Sequence, residues 1–246
     1  SKSRTGLDLP GRQQQLLEAL HATGKPVVLV LINGQPLTIN WADRNIPSIL
    51  EAWFPGQLGG EAIAQTLFGD YNPGGRLSVT FPRSIGQIEF NFPFKPGSQD
   101  GQYFEGPNGS GRTRVNGALY PFGYGLSYTT FAYSNLSVKQ ETPYSQSPVT
   151  VTVDVTNTGK RAGDEVVQLY IRDKVSSVIA YESVLRGFER ISLQPGETRK
   201  VSFTLLPEDL QILDRHMQWT VEPGEFEVRI GASSTDIKLK DTFVVK

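Results

Sequence analysis

The sequence contains no cysteine, which excludes disulfide bridges and thiolate metal sites. Histidine is almost missing. His21 and His216 have neither a partner histidine nor a neighbouring aspartate at ligand spacing, so no metal site and no histidine-dependent triad is expected. An excess of one charge is missing too: 24 basic residues face 25 acidic ones, for a net charge of −1, with no long run of either sign. That balance argues against nucleic acid and against a polybasic membrane contact. The longest apolar run, residues 26–32, is far too short to span a bilayer. The chain has no G-x-G-x-x-G and no Gly-Lys-Ser/Thr, so no dinucleotide or phosphate loop is present and no cofactor is expected. It has no signal peptide, and its single methionine is Met217. A chain opening on Ser1-Lys2-Ser3-Arg4-Thr5 is expected to be a piece of a longer polypeptide, which leaves the missing leader without weight.

What is present divides into two halves. Over 246 residues, the first half reads as α/β. Pro10 sits where a first helical turn accepts it. Leu16, Leu17 and Leu20 then give the spacing of an amphipathic helix ending near Gly24. Val27 to Ile32 is a continuous β-branched and aliphatic run, the pattern of a strand buried on both faces of a parallel sheet. A second strand is expected over Ile49 to Trp53, a helix over Gly59 to Phe68, and a last strand over Arg76 to Phe81, stopped by Pro82. This is part of a layered α/β domain, with too few strands to close a sheet.

Residues 83–117 are dominated by Gly, Pro, Asn, Ser and Gln, with Phe90, Phe92, Phe94, Tyr103 and Phe104 among them. So long a stretch is expected to be a packed loop. Residues 118–131 follow, carrying Tyr120, Phe122, Tyr124, Tyr128 and Phe131 between glycines and a proline. They are too apolar for a solvated linker and too rich in Gly and Pro for a helix or central strand. From Phe131 the period becomes two. Val149 to Val155 alternates strictly, and residues 166–171, 198–205 and 226–230 behave similarly. Turn signals at Asn157-Thr158-Gly159, Gln194-Pro195-Gly196 and Glu222-Pro223-Gly224 separate them. An all-β sandwich of the fibronectin type III or immunoglobulin kind is expected.

The motifs, taken in order, resemble those of family 3 glycoside hydrolases. Ser3-Arg4-Thr5 with Leu7-Asp8-Leu9-Pro10-Gly11 opens the match. Gly24 to Gly34, Ala52-Trp53-Phe54-Pro55-Gly56, Gly59-Gly60-Glu61-Ala62 and Leu67-Phe68-Gly69-Asp70 continue it. Asn72-Pro73-Gly74-Gly75-Arg76-Leu77 is the most family-specific run. Leu119 to Tyr128, Asn157-Thr158-Gly159 and Leu185-Arg186-Gly187-Phe188-Glu189 complete it. Within the family the wording resembles bacterial periplasmic β-glucosidases, with β-xylosidase or another β-glycosidase specificity as the alternative.

The resemblance implies three segments: the C-terminal part of an α/β sandwich domain over 1–82, a loop and junction over 83–130, and a fibronectin type III-like sandwich over 131–246. It also implies a retaining exo-glycosidase acting on terminal β-D-glucosyl residues, with two carboxyl groups about 5–5.5 Å apart. In the family the nucleophile is an aspartate of an N-terminal (β/α)8 barrel, and the acid/base is a glutamate that aligns just before Ser1. Neither catalytic carboxylate is therefore expected in this chain, and the isolated chain is expected to be inactive. The partners implied are that barrel and a β-glucoside, and the compartment is periplasmic or extracellular. A non-catalytic carbohydrate-binding or structural module is the reading from a different class. Ser3 and Arg4 lie nearest the implied acid/base and are the substrate-proximal candidates. Asp8, Glu18, Asp43, Glu61, Asp70, Glu89, Asp100 and Glu105 read as solvated or structural carboxylates. Glu51 differs. It interrupts an apolar strand, where a charge is costly unless paired, and a buried ion pair with an arginine is expected.

Overall fold

A computed structural model describes residues 5–87, 91–95, 117–144 and 147–246. The chain forms two compact units, each built from more than one stretch of sequence. Of the described residues, 5–71, 79–87, 91 and 117–120 belong to the first, and 72–78, 92–95 and 121 onward to the second.

In the first unit α1 (Gln13–His21) leads to β1 (Val28–Leu31), then α2 (Asn40–Asn45), β2 (Ser48–Glu51) and α3 (Gly59–Phe68). β1 and β2 pair in parallel, Val28 opposite Ser48 and Leu31 opposite Glu51. Gly69 ends α3 with φ of 85°, the left-handed conformation that glycine adopts without a Cβ penalty. Leu17, Leu31, Leu37, Ile39, Ala42, Ile46, Phe81 and Leu119 are buried. Trp53, Phe81 and Tyr120 form an aromatic row, with 6.0 Å between successive ring centroids.

Two expectations fail here. The run Val27 to Ile32 is not buried on both faces: Val28 is 47 % and Ile32 61 % exposed, because a single partner strand leaves the pair uncovered. Arg76 to Phe81 forms no strand. Phe81 alone makes an antiparallel bridge, to Tyr120, donating its N–H to Tyr120 O at 2.8 Å and accepting from Leu119 N at 2.8 Å. Leu77 instead exchanges hydrogen bonds with Gly123 and Tyr124, at 2.7 and 2.8 Å. The backbone groups are satisfied in separate places, so no ladder runs between them.

The second unit is a β-sandwich. Its three-stranded sheet has the order β3 (Phe131–Gln140), β4 (Val149–Asn157), β7 (Thr198–Leu205). Its four-stranded sheet has the order β11 (Ile237–Val245), β10 (Gly224–Gly231), β5 (Gly163–Asp173), β6 (Val184–Leu193). All pairings in these two sheets are antiparallel. A short hairpin of β8 (Ile212–Leu213) and β9 (Trp219–Thr220) lies outside them. Alternation builds the core: Val149, Val151, Val153 and Val155 of β4 are fully buried, facing Val167, Leu169, Phe226, Val228 and Ile230 from the other sheet. The Asn157-Thr158-Gly159 turn is a hydrogen-bonding hub. Asn157 is fully buried; its amide donates to Arg161 O at 2.8 Å and Leu193 O at 3.0 Å, and its Oδ1 accepts from Thr129 Oγ1 at 2.7 Å and Gly159 N at 3.0 Å.

An arm from earlier in the chain packs on this sandwich. Asn72 donates to Ala162 O at 2.9 Å and accepts from Ser127 Oγ at 3.0 Å and Tyr128 N at 2.8 Å. Arg76 reaches Glu165 of β5 at 3.0 Å, with side chains only 7 % and 5 % exposed. Gln168 of β5 donates to Gly123 O at 3.1 Å and Ala232 O at 2.7 Å, and accepts from the Tyr170 hydroxyl. Phe92 stacks on Phe122 at 4.6 Å and meets Tyr170 edge-on at 5.5 Å.

Candidate functional site

In parallel α/β arrangements, ligands collect where strands end and loops begin. In the first unit that edge follows Leu31 and Glu51, the terminal residues of β1 and β2. Glu51 ties the two following loops together. Its Oε1 accepts from the Trp53 backbone N–H at 2.9 Å. In the amide orientation its neighbours require, Asn33 donates to the same Oε1 at 3.2 Å and to Gln35 O at 3.2 Å. Trp53 sits at φ of 49°, an uncommon conformation for a bulky residue. The Phe54 ring lies over Gly34 so closely that a Cβ there would come within 2.6 Å of it. Gly34 is thus glycine because of its aromatic neighbour.

Glu51 corrects the expected ion pair. No arginine meets it among the described residues. A backbone N–H and an amide hold one oxygen, while Oε2 is buried without a hydrogen-bond partner, as is Gln35 Nε2. Burial raises the Glu51 carboxyl above its ordinary value of 4.5, against the opposing hydrogen bonds from Trp53 and Asn33. A carboxyl that binds its proton more tightly when folded stabilises the fold at low pH and loses that contribution as pH rises through the raised value. On lowering the pH from about 7 to about 5, the melting temperature of the wild type is expected to gain on that of Glu51→Gln. Parallel melting curves for the two proteins across that range would show that the carboxyl is not desolvated.

The other carboxylates of this unit serve their own surroundings. Asp8 accepts from Thr38 Oγ1, Glu18 from Gln14 at 2.8 Å, Asp43 from the Tyr120 hydroxyl at 2.8 Å and Glu61 from Gln65 at 3.1 Å. Ser3 and Arg4 lie outside the described residues, as do Glu89, Asp100 and Glu105. His21 meets the edge of Trp41 at 5.5 Å. Among the described residues, no three of the His, Asp and Glu side chains gather into a metal-binding group, and no helix is long and apolar enough to cross a membrane.

The constellation around Glu51 is thus a loop clamp rather than a pair of opposed carboxylates. Sequence reasoning singled out Glu51 but missed Asn33 and Gln35, whose signal was the polar Asn33-Gly34-Gln35 run at the end of a continuous apolar strand.

Comparison with known proteins identifies the surroundings of this clamp. Residues 1–128 match the glycosyl hydrolase family 3 C-terminal domain, and residues 165–234 a fibronectin type III-like domain. A β-xylosidase of Formosa agariphila is 49 % identical over 240 residues, covering 96 % of this chain and 32 % of its own length. A periplasmic β-glucosidase of Salmonella typhimurium is 45 % identical over 248 residues, covering 97 % and 31 %. Among solved structures, a β-glucosidase from Erythrobacter marinus superposes with a TM-score of 0.89 at 40 % identity, covering all of this chain and 31 % of that one. A β-glucosidase from Listeria innocua in complex with glucose gives 0.87 at 34 % identity, covering 99 % and 34 %. The chain spans about a third of the length of the curated relatives it matches. Identities of 49 % and 45 % do not separate xylosidase from glucosidase over this region.

Proposed function

The chain belongs to glycoside hydrolase family 3, and on that premise we propose that it is the C-terminal portion of a retaining, exo-acting β-glucosidase that removes terminal non-reducing β-D-glucosyl residues. The carrying observation is the unbroken match to glucosidases and xylosidases roughly three times its length. In this reading the nucleophile belongs to an N-terminal (β/α)8 barrel and the acid/base glutamate precedes Ser1, with Ser3 and Arg4 beside the substrate. The three segments 1–82, 83–130 and 131–246 are the end of the α/β domain, a junction and the sandwich. The parent protein is periplasmic or secreted, a reading supported by the periplasmic relative.

The surface of the first unit supports a large partner of this kind. Leu16 is 61 % exposed, Phe54 78 %, Leu58 70 % and Phe68 85 %. Leu16 of α1, Phe68 of α3, and Phe54 and Leu58 before α3 form apolar surface that no described residue of their own unit covers, and such surface marks interaction sites.

The test is an assay on aryl β-glucoside and aryl β-xyloside with the isolated chain and with the parent protein. The chain alone is expected to give no turnover. The parent is expected to prefer the glucoside and to release the sugar first as the β-anomer, read by NMR. Turnover by the isolated chain, or first release of the α-anomer, would overturn the division of labour. A preference for the xyloside would select β-xylosidase.

A further inference from the structure

The loop between β5 and β6 curls around an open groove. Residues Arg172 to Glu182 line a space of about 560 Å³, within the range of small-ligand sites. Its walls are fixed. Ser177 donates from its backbone N–H to Glu222 Oε2 at 2.8 Å and from its hydroxyl to Glu222 Oε1. Ser176 Oγ donates to Val178 O at 2.7 Å. Glu182 donates its N–H to Phe94 O at 3.0 Å, and its carboxylate accepts from Arg172 at 3.0 Å.

The chemistry of the lining is mixed in a particular way. Arg172 is neutralised by Glu182, and Lys174 by Glu225 at 3.1 Å. Asp173 is left over. Its Oδ1 accepts only the Val175 N–H at 3.2 Å, and its other oxygen has no hydrogen-bond partner among the described residues. Tyr181 is 43 % exposed, and Val175 and Ile179 are 78 % and 69 % exposed. Lys95 Nζ stands 5.5 Å from the Tyr181 ring centroid. An anion would meet Asp173, Glu182 and the neighbouring Glu222. A small cation would pair with Asp173 but leave Tyr181, Val175 and Ile179 without a contact. A neutral ligand rich in hydroxyls suits the site: its O–H groups donate to the open Asp173 oxygen, and its C–H face lies on Tyr181 and the aliphatic rim.

We infer that this loop is a saccharide-binding site on the sandwich, separate from hydrolysis and retaining an oligosaccharide on the protein. Choosing a saccharide among neutral hydroxylated ligands rests on the proposed family activity; the groove and its charge pattern do not. The test is isothermal titration of the 246-residue chain with cellotetraose and with xylotetraose. Saturable binding in the millimolar range is expected for at least one of them. Tyr181→Ala and Asp173→Asn are each expected to weaken it about tenfold or more, with melting curves that overlay the wild type. Phe188→Ala, which removes an aromatic 67 % exposed elsewhere on the same sandwich, is expected to leave it unchanged. Absence of saturable binding to either sugar, or binding that survives both loop variants, would overturn the inference. Hydrolysis by the parent protein is read in a separate assay, so either conclusion can fail while the other stands.

Discussion

Arg76→Ala is expected to destabilise the sandwich unit by about 3–5 kcal/mol, the cost of removing one partner of a buried ion pair. Arg76 and Glu165 lie 3.0 Å apart with side chains 7 % and 5 % exposed. Burial already pushes the Glu165 carboxyl upward, and the Arg76 guanidinium is the main force opposing that shift. Without the guanidinium, Glu165 must stay charged in an apolar setting or take up a proton. Burial and the Glu165 carboxylate both push the ionisation of the neighbouring Tyr133 phenol upward, so it stays neutral and brings no positive charge to replace the guanidinium. Urea titration of wild type, Arg76→Ala and the double variant Arg76→Met/Glu165→Leu separates the terms. The double variant is expected to recover most of the loss, because similar-sized apolar groups remove the uncompensated charge. A single variant within about 1 kcal/mol of wild type would mean that the pair is effectively solvated.

Gly123→Ala is the second large effect expected. Gly123 has φ of 81°, and a Cβ there would lie 2.1 Å from Gln168 Oε1 and 3.0 Å from the Tyr170 hydroxyl. The backbone conformation alone costs a residue with a side chain about 1–2 kcal/mol, and overpacking typically adds about 1–3 kcal/mol. A total near 2–5 kcal/mol is expected, read as a lowered denaturation midpoint at unchanged slope. Gly117→Ala serves as the control: its φ is 70° but its Cβ would meet nothing within 4 Å, so it should lose only the backbone part. Equal losses in the two variants would show that the Gln168–Tyr170 network does not press on Gly123.

These two residues also mark where the sequence was legible. β4, β5, β10 and the edge strand β7 were read from alternation because both sheets bury one face of each strand. β4 shows strict alternation of buried and half-buried residues, and β7 runs over the anticipated residues Thr198–Leu205. In the two large sheets the strands not singled out, β3, β6 and β11, all lie at edges. Edges carry charged side chains and bulges that break alternation, as in Lys238, Lys240 and Asp241 of β11 and the register shift between Ser134 and Ser137 of β3. α3 was legible from composition, but the exposure of Leu67 and Phe68 at its end, 41 % and 85 %, was not. Helix periodicity reports a face in need of a partner and cannot say where that partner is. Short α2 was missed because Asn40-Trp41-Ala42-Asp43-Arg44-Asn45 is too brief and polar to show a period. At the candidate site, Glu51 stood out as a charge in an apolar strand. Its solution, a backbone N–H and an amide in place of an arginine, depends on how two loops meet.

The arm over residues 72–78 has a consequence for how this sandwich can be shuffled. A crossover at residue 130 would transplant nine strands and leave behind the guanidinium that faces Glu165, the asparagine that donates to Ala162, and the Gly123 carbonyl that accepts from Gln168. The sandwich is therefore not a cassette that begins at residue 130. A chimera that inherits it needs the Asn72-Pro73-Gly74-Gly75-Arg76-Leu77 run from the same parent, which binds that stretch and the distant β5 strand to a common inheritance.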